Sequence, residues 1–151
     1  MIQEIAPHRY DNHYEPLSPS PDDRVFLFSP PKMLAREGEG REIRFPRLKD
    51  FARLPGELIY LFSIDGEKFF LAQPDGEWEA SGFSFLHTGA IRGCTPPELS
   101  FAAATAMQLD RWYRDNRFCG RCGGEMARDT KERMLYCPRC KNTVYPKISP
   151  C

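Results

Sequence analysis

No stretch of this 151-residue chain approaches the roughly 18 consecutive apolar residues that a bilayer-spanning helix needs. The segment Met1 to His8 has no basic start followed by an apolar run, so it does not read as a secretion signal, and the expected location is the cytoplasm. Net charge is also lacking: 21 Lys and Arg balance 21 Asp and Glu, which argues against a wholesale polyanion binder. Histidine is scarce. His8, His13 and His87 are too scattered for ligand spacing and read as structural or surface residues. No Ser, His and Asp arrangement, phosphate-cradling glycine loop or helical His pair is present, and the plentiful carboxylates form no motif.

What is present is a globular composition with 14 prolines, enough to predict abundant loops and less helix than usual. The charge is unevenly spread. From Arg111 onward ten Lys and Arg face four Asp and Glu, while residues 1–110 carry eleven against seventeen. A basic carboxyl-terminal third suits contact with phosphate, and equally suits a solvated mixed-charge surface.

Residues 11–23 hold three prolines among acidic and small residues and are expected to form an exposed loop. Val25 to Phe28 is a short apolar run ending at Pro30-Pro31, and Ile43 to Phe45 is a weaker strand candidate stopped by Pro46. Glu57 to Ile64, then Asp65-Gly66, then Glu67 to Ala72 predicts a β-hairpin, because Asp-Gly takes the positive backbone angles of the tight turn that joins twisted strands. The first of these strands is apolar on both faces and is expected in the middle of a sheet. Phe83 to Leu86 is a further strand candidate. Thr95-Pro96-Pro97-Glu98 predicts a helix start with Thr95 as cap, and Leu99, Ala102, Ala106, Leu109 and Tyr113 form a narrow apolar stripe running to about Asp115.

Cys119-Gly-Arg-Cys122, fourteen residues, then Cys137-Pro-Arg-Cys140 have the spacing of a zinc ribbon. Two thiolates three residues apart on a tight turn reach one ion, and two such turns complete a tetrahedral sulfur cage for a structural Zn2+. Gly120, Gly123 and Gly124 suit backbone that curls around sulfur. Redox-active dithiols, a rubredoxin-like iron cage and disulfides are the other states open to such a motif. Four sulfurs close the coordination sphere, so a catalytic zinc is not expected. A module this small buries little core, so metal binding should supply most of its folding free energy. Cys94 and Cys151 lie outside the cage and read as free thiols.

The run Ala106 to Gly124, containing Trp112-Tyr-Arg114 and Phe118-Cys-Gly-Arg-Cys-Gly, followed by Leu135-Tyr-Cys-Pro-Arg-Cys140 and Val144-Tyr-Pro-Lys-Ile-Ser-Pro-Cys151, resembles the NAD(H) diphosphatases of the Nudix superfamily. The likeness is close over residues 99–151, while residues 1–98 agree in order and size only with the family's variable β-rich amino-terminal domain. It implies a parent enzyme that hydrolyses NADH or NAD to nicotinamide mononucleotide and AMP, with removal of NAD caps from RNA as a second activity open to it. It also implies a homodimer, and Mg2+ or Mn2+ held by the glutamates of a catalytic domain. The Nudix box, Gly-x5-Glu-x7-Arg-Glu-x2-Glu-Glu-x-Gly, does not occur in these 151 residues, so this chain alone is expected to be inactive. Tyr145 stands where, in the family, an aromatic stacks on the nicotinamide end of the substrate across a dimer; a tyrosine packed between the ribbon and a following domain is the alternative.

The expectation is an α+β protein: a small β-rich amino-terminal domain (1–95), a linking helix (96–116), a zinc ribbon (117–145), and in 146–151 the start of a Nudix domain. A stand-alone zinc-ribbon module that binds nucleic acid or protein is the competing reading.

Overall fold

The computed structural model describes residues 3–76 and 78–147, so Cys151 and the exit residues 148–151 lie outside it. Strand β1 (Tyr10–Asp11) is followed by β2 (Arg24–Ser29), β3 (Lys32–Glu37) and β4 (Ile43–Arg44). Next come β5 (Leu58–Ile64), β6 (Glu67–Ala72) and β7 (Ser84–His87), with 3-10 turns at Leu48–Asp50 and Thr88–Ile91. One helix, α1 (Pro97–Asp115), precedes the short strands β8 (Ala127–Arg128), β9 (Leu135–Tyr136) and β10 (Thr143–Val144). No helix among the described residues is long and apolar enough to cross a membrane.

The Asp65-Gly66 turn forms as expected, with φ of 51° and 80°, and joins β5 to β6 antiparallel. The sheet order β1-β5-β6-β2-β3-β4, with β7 on β3, corrects the placement of β5. The middle belongs to β6 and β2, which run parallel to each other. Strand β5 lies one step from the edge and meets β1 only at Ile64 and Ser63. Its two-sided apolar character has a local cause. A bulge between Tyr60 and Phe62 breaks the alternation and sends both Leu61 and Phe62 into the core on one side.

Strand β2 shows how the sheet divides its two faces. Val25 and Leu27 pack with Leu34, Phe51 and Ala72 on one face, while Phe26 and Phe28 join Phe45, Phe62 and Phe69 on the other. This period of two is the pleat of an extended chain. Two strands lay outside the sequence reading. Strand β1 begins the stretch expected to be loop, and β3 carries only Met33, Leu34 and Ala35 between charged ends.

Helix α1 covers the Phe26 face. Its predicted stripe Leu99, Ala102, Ala106, Leu109 and Tyr113 is buried throughout, and the three fully buried alanines, Ala102, Ala103 and Ala106, let the helix lie close on the sheet. The cap differs from expectation. Pro96 is the N-cap and Pro97 the first helical residue, because the Thr95 backbone is taken up by Arg41 and Ile43 in a short parallel bridge beside β4. The buried Asp110 carboxylate accepts from Gln73 Nε2 and Arg114 Nε, both at 2.8 Å, and Arg114 also donates to the Phe28 carbonyl at 2.9 Å. The helix is thereby tied to β2 and to the residue that follows β6.

The three-stranded ribbon sheet, ordered β10-β9-β8, docks on this body. Leu135 of β9 enters the same apolar cluster as α1. Arg133, in the β8–β9 loop, donates to the carbonyls of Tyr60 (3.5 Å) and Leu61 and lies over the Tyr14 ring. It thus satisfies edge carbonyls of β5 that the two-residue β1 does not reach. The Tyr14 hydroxyl donates to the Asp129 carbonyl at 3.1 Å, and Arg128 pairs with Glu57.

Because Ala106 is 0% exposed against the sheet, Ala106→Leu should overpack the interface and lower stability by about 1–3 kcal/mol in urea denaturation. An unchanged midpoint would mean that the helix does not lie this close.

Candidate metal centre

The four predicted cysteines converge. The sulfurs of Cys119, Cys122, Cys137 and Cys140 all lie within 4.8 Å of one another, with Cys119–Cys140 at 3.6 Å and Cys122–Cys137 at 3.4 Å. A tetrahedron of sulfurs at zinc's usual bond length has edges of about 3.8 Å, so the cage is of the right size. A disulfide needs about 2.05 Å, which none of these pairs approaches. The cluster is consistent with a structural zinc ion.

Two knuckles related by a repeated hydrogen-bond pattern build the cage. In the first, Cys119 N donates to Gly124 O (2.7 Å) and Gly123 N to Cys119 O (2.8 Å). In the second, Cys137 N donates to Asn142 O (2.8 Å) and Lys141 N to Cys137 O (2.9 Å). Amides also point at sulfur, from Arg121 to Cys119 (3.3 Å) and from Cys140 to Cys137 (3.5 Å), and Asn142 Nδ2 reaches Cys119 at 3.7 Å. Each turn requires one left-handed residue, Gly123 (φ 76°) in the first and Lys141 (φ 66°) in the second. Gly123 thus has the role expected of it. Gly120 and Gly124 have no positive φ, and a side-chain carbon at Gly124 would meet the Cys122 and Cys137 sulfurs at ordinary contact distance.

The electrostatics explain why such a cluster calls for a cation. The amides of Cys122 and Arg121 lower the Cys119 thiol to about 6, and the Cys140 amide lowers Cys137. The Gly124 amide favours the Cys122 thiolate too, but hydrogen bonding to Cys137, burial and the neighbouring thiols outweigh it and push Cys122 up to about 11. Cys122, which resists ionisation, thus lies beside two thiols, Cys119 and Cys137, that favour it. A divalent cation removes that conflict.

The other candidates lie apart. Cys94 is buried with the core cluster beneath α1, where burial pushes its thiol up. His8 Nδ1 pairs with Asp65 at 2.6 Å, His13 with Glu15 at 3.3 Å, and His87 Nδ1 accepts from the Gly89 amide. Tyr145, just after β10, is half exposed and its hydroxyl donates to Glu132 Oε2 at 2.8 Å; that carboxylate raises the phenol above its usual range. Arg133 and Glu132 escaped the sequence reading. Neither belongs to a spacing pattern, and their partners are remote or depend on the loop's shape.

Residues 114–145 match the NADH pyrophosphatase zinc ribbon domain. The chain is 34% identical over 87 residues to the NAD-capped RNA hydrolase NudC of Stutzerimonas stutzeri (strain A1501), covering 58% of this chain and 32% of that protein. Identity to NudC of Pseudomonas aeruginosa (strain LESB58) is 33% over 95 residues, covering 63% of this chain and 31% of the relative. With NudC of Pectobacterium carotovorum subsp. carotovorum (strain PC1) it is 47% over 49 residues, which cover 32% of this chain and 19% of the relative. The match to the first and second of these therefore spans about a third of their length. The ribbon match and the likeness to NudC agree with the resemblance seen in the cysteine and aromatic motifs.

The paired turns generate opposite mutational signs. Lys141→Gly should relieve a left-handed side chain and strengthen metal affinity up to about fivefold, as a gain near 1 kcal/mol implies, whereas Gly123→Ala should weaken it about five- to tenfold. Chelator competition measures both. Equal responses would show that the knuckles are not equivalent.

Proposed function

We propose that this chain is the amino-terminal and zinc-ribbon portion of a Nudix NAD(H) diphosphatase of the NAD-capped RNA hydrolase type, and that its own role is structural. One observation carries the reading: four sulfurs converge in a segment that matches the NADH pyrophosphatase zinc ribbon. Cys119, Cys122, Cys137 and Cys140 hold one Zn2+. Four thiolates leave no position for water, so the ion fastens the fold and activates nothing. The thiols must stay reduced to bind it, which suits a cytoplasmic protein.

Hydrolysis of NADH, NAD or an NAD cap belongs, in this reading, to a Nudix domain whose glutamates hold Mg2+ or Mn2+; these 151 residues contain no Nudix box. The parent acts as a homodimer. Tyr145 offers its half-exposed ring to the nicotinamide end of a substrate, and Glu132 holds its hydroxyl. A second reading, a ribbon that binds single-stranded nucleic acid, is favoured by Phe118, 59% exposed with the Arg117 guanidinium 5.5 Å from its ring.

Elemental analysis should find about one zinc per chain. Chelation should release the segment after Phe118 from amide-exchange protection while β2, β3 and β6 stay protected. Metal-free protein with a fully protected ribbon would refute the zinc assignment. Incubating the zinc-loaded chain with NADH and Mg2+ or Mn2+ should release no AMP, and turnover by a clean preparation would overturn the purely structural role.

A further inference from the structure

Apart from the sulfur cage, a cavity of about 600 Å3 opens in the seam where β1, α1 and the end of the ribbon meet. Tyr10 comes from β1, Arg111, Trp112 and Asn116 from α1 and its cap, and Arg133 and Lys147 from the ribbon. Among the described residues, three cations thus line the cavity with a single carboxylate, Asp115. Arg133 is already committed to the Tyr60 and Leu61 carbonyls. Arg111 and Lys147 are exposed and have no ion-pair partner among the described residues.

The wall between them is aromatic and incompletely satisfied. The Trp112 ring packs on Tyr113 with centroids 4.7 Å apart, and its indole N–H is buried without an acceptor among the described residues. Buried donors are rarely left so, and one that lacks a partner marks a place where another group completes the structure. The volume far exceeds that of a single inorganic ion and lies in the range of organic-ligand sites. Cations in a groove select an anion, and an aromatic wall with spare donors selects a flat heterocycle.

We propose that this seam binds a small phosphate ester of mononucleotide size, its phosphate between Arg111 and Lys147 and its base against the Trp112 wall, where a shift of the ring lets the indole N–H donate to the base. Both the helix and the ribbon supply walls, so the site exists only while the ribbon is folded. The inference rests on the zinc-loaded ribbon and not on any activity of the parent enzyme.

Titration of AMP into the zinc-loaded chain, followed by calorimetry and by the two tryptophan indole 1H–15N resonances, tests it. AMP should bind saturably and shift the Trp112 resonance but not that of Trp78, with the two assigned by Trp78→Phe. Inorganic phosphate and adenosine should each bind at least tenfold more weakly. The double variant Arg111→Glu/Lys147→Glu should lose at least tenfold in AMP affinity, and Lys32→Glu, on β3 and outside the cavity lining, should lose none. Chelation of the zinc should abolish binding. The proposal is overturned by absence of saturation at millimolar AMP, by phosphate alone binding as tightly as AMP, by wild-type affinity in the double variant, or by binding that survives chelation. A chain that loads zinc yet ignores AMP refutes this inference alone, whereas one that loads no zinc refutes the preceding reading.

Discussion

Four sulfur atoms brought within 4.8 Å of one another are the constraint on which the ribbon depends. Its three strands have two residues each, far too few to bury a core, and it adds to the main apolar cluster the buried Leu135 with the partly buried Met126 against it. Amides directed at Cys119 and Cys137 favour thiolates, and thiolates this close repel unless a cation lies among them. Binding of a metal ion there would therefore share a single equilibrium with the folding of the ribbon.

That equilibrium reaches into the larger body. The β8–β9 loop, held in place at its two ends by the ribbon strands, presents Arg133 to the open edge of β5 and the Asp129 carbonyl to the Tyr14 hydroxyl. A sheet edge that a two-residue strand only partly covers is closed by a guanidinium from a different module. The seam so created unites the helix, the amino-terminal strap and the ribbon end around one cationic cavity, a place that none of the three forms alone.

The larger body stands on a simpler rule. Alternating side chains of β2 feed two cores, one on each side of the sheet, and a helix lined with alanine seals the side richer in phenylalanine. The close approach that alanine permits brings Asp110 and Arg114 within hydrogen-bonding reach of Gln73 and Phe28, so polar ties form at the helix end without leaving buried charge unpaired.

Much of this was legible in the residues themselves where the interaction is local. The Asp65-Gly66 turn, the stripe of α1 and the cysteine knuckles each follow from neighbours a few positions apart, whose backbone angles or ligand spacing admit one geometry. Sequence by itself determined the hairpin, the amphipathic helix and the four-sulfur cage. Tertiary structure alone decided the strand order, the displaced helix cap, and the docking of Arg133 across more than seventy residues onto β5. The physical reason is range: periodicity and turn chemistry record what a side chain does to its own segment, whereas an edge carbonyl leaves no mark in the sequence of the distant donor that satisfies it.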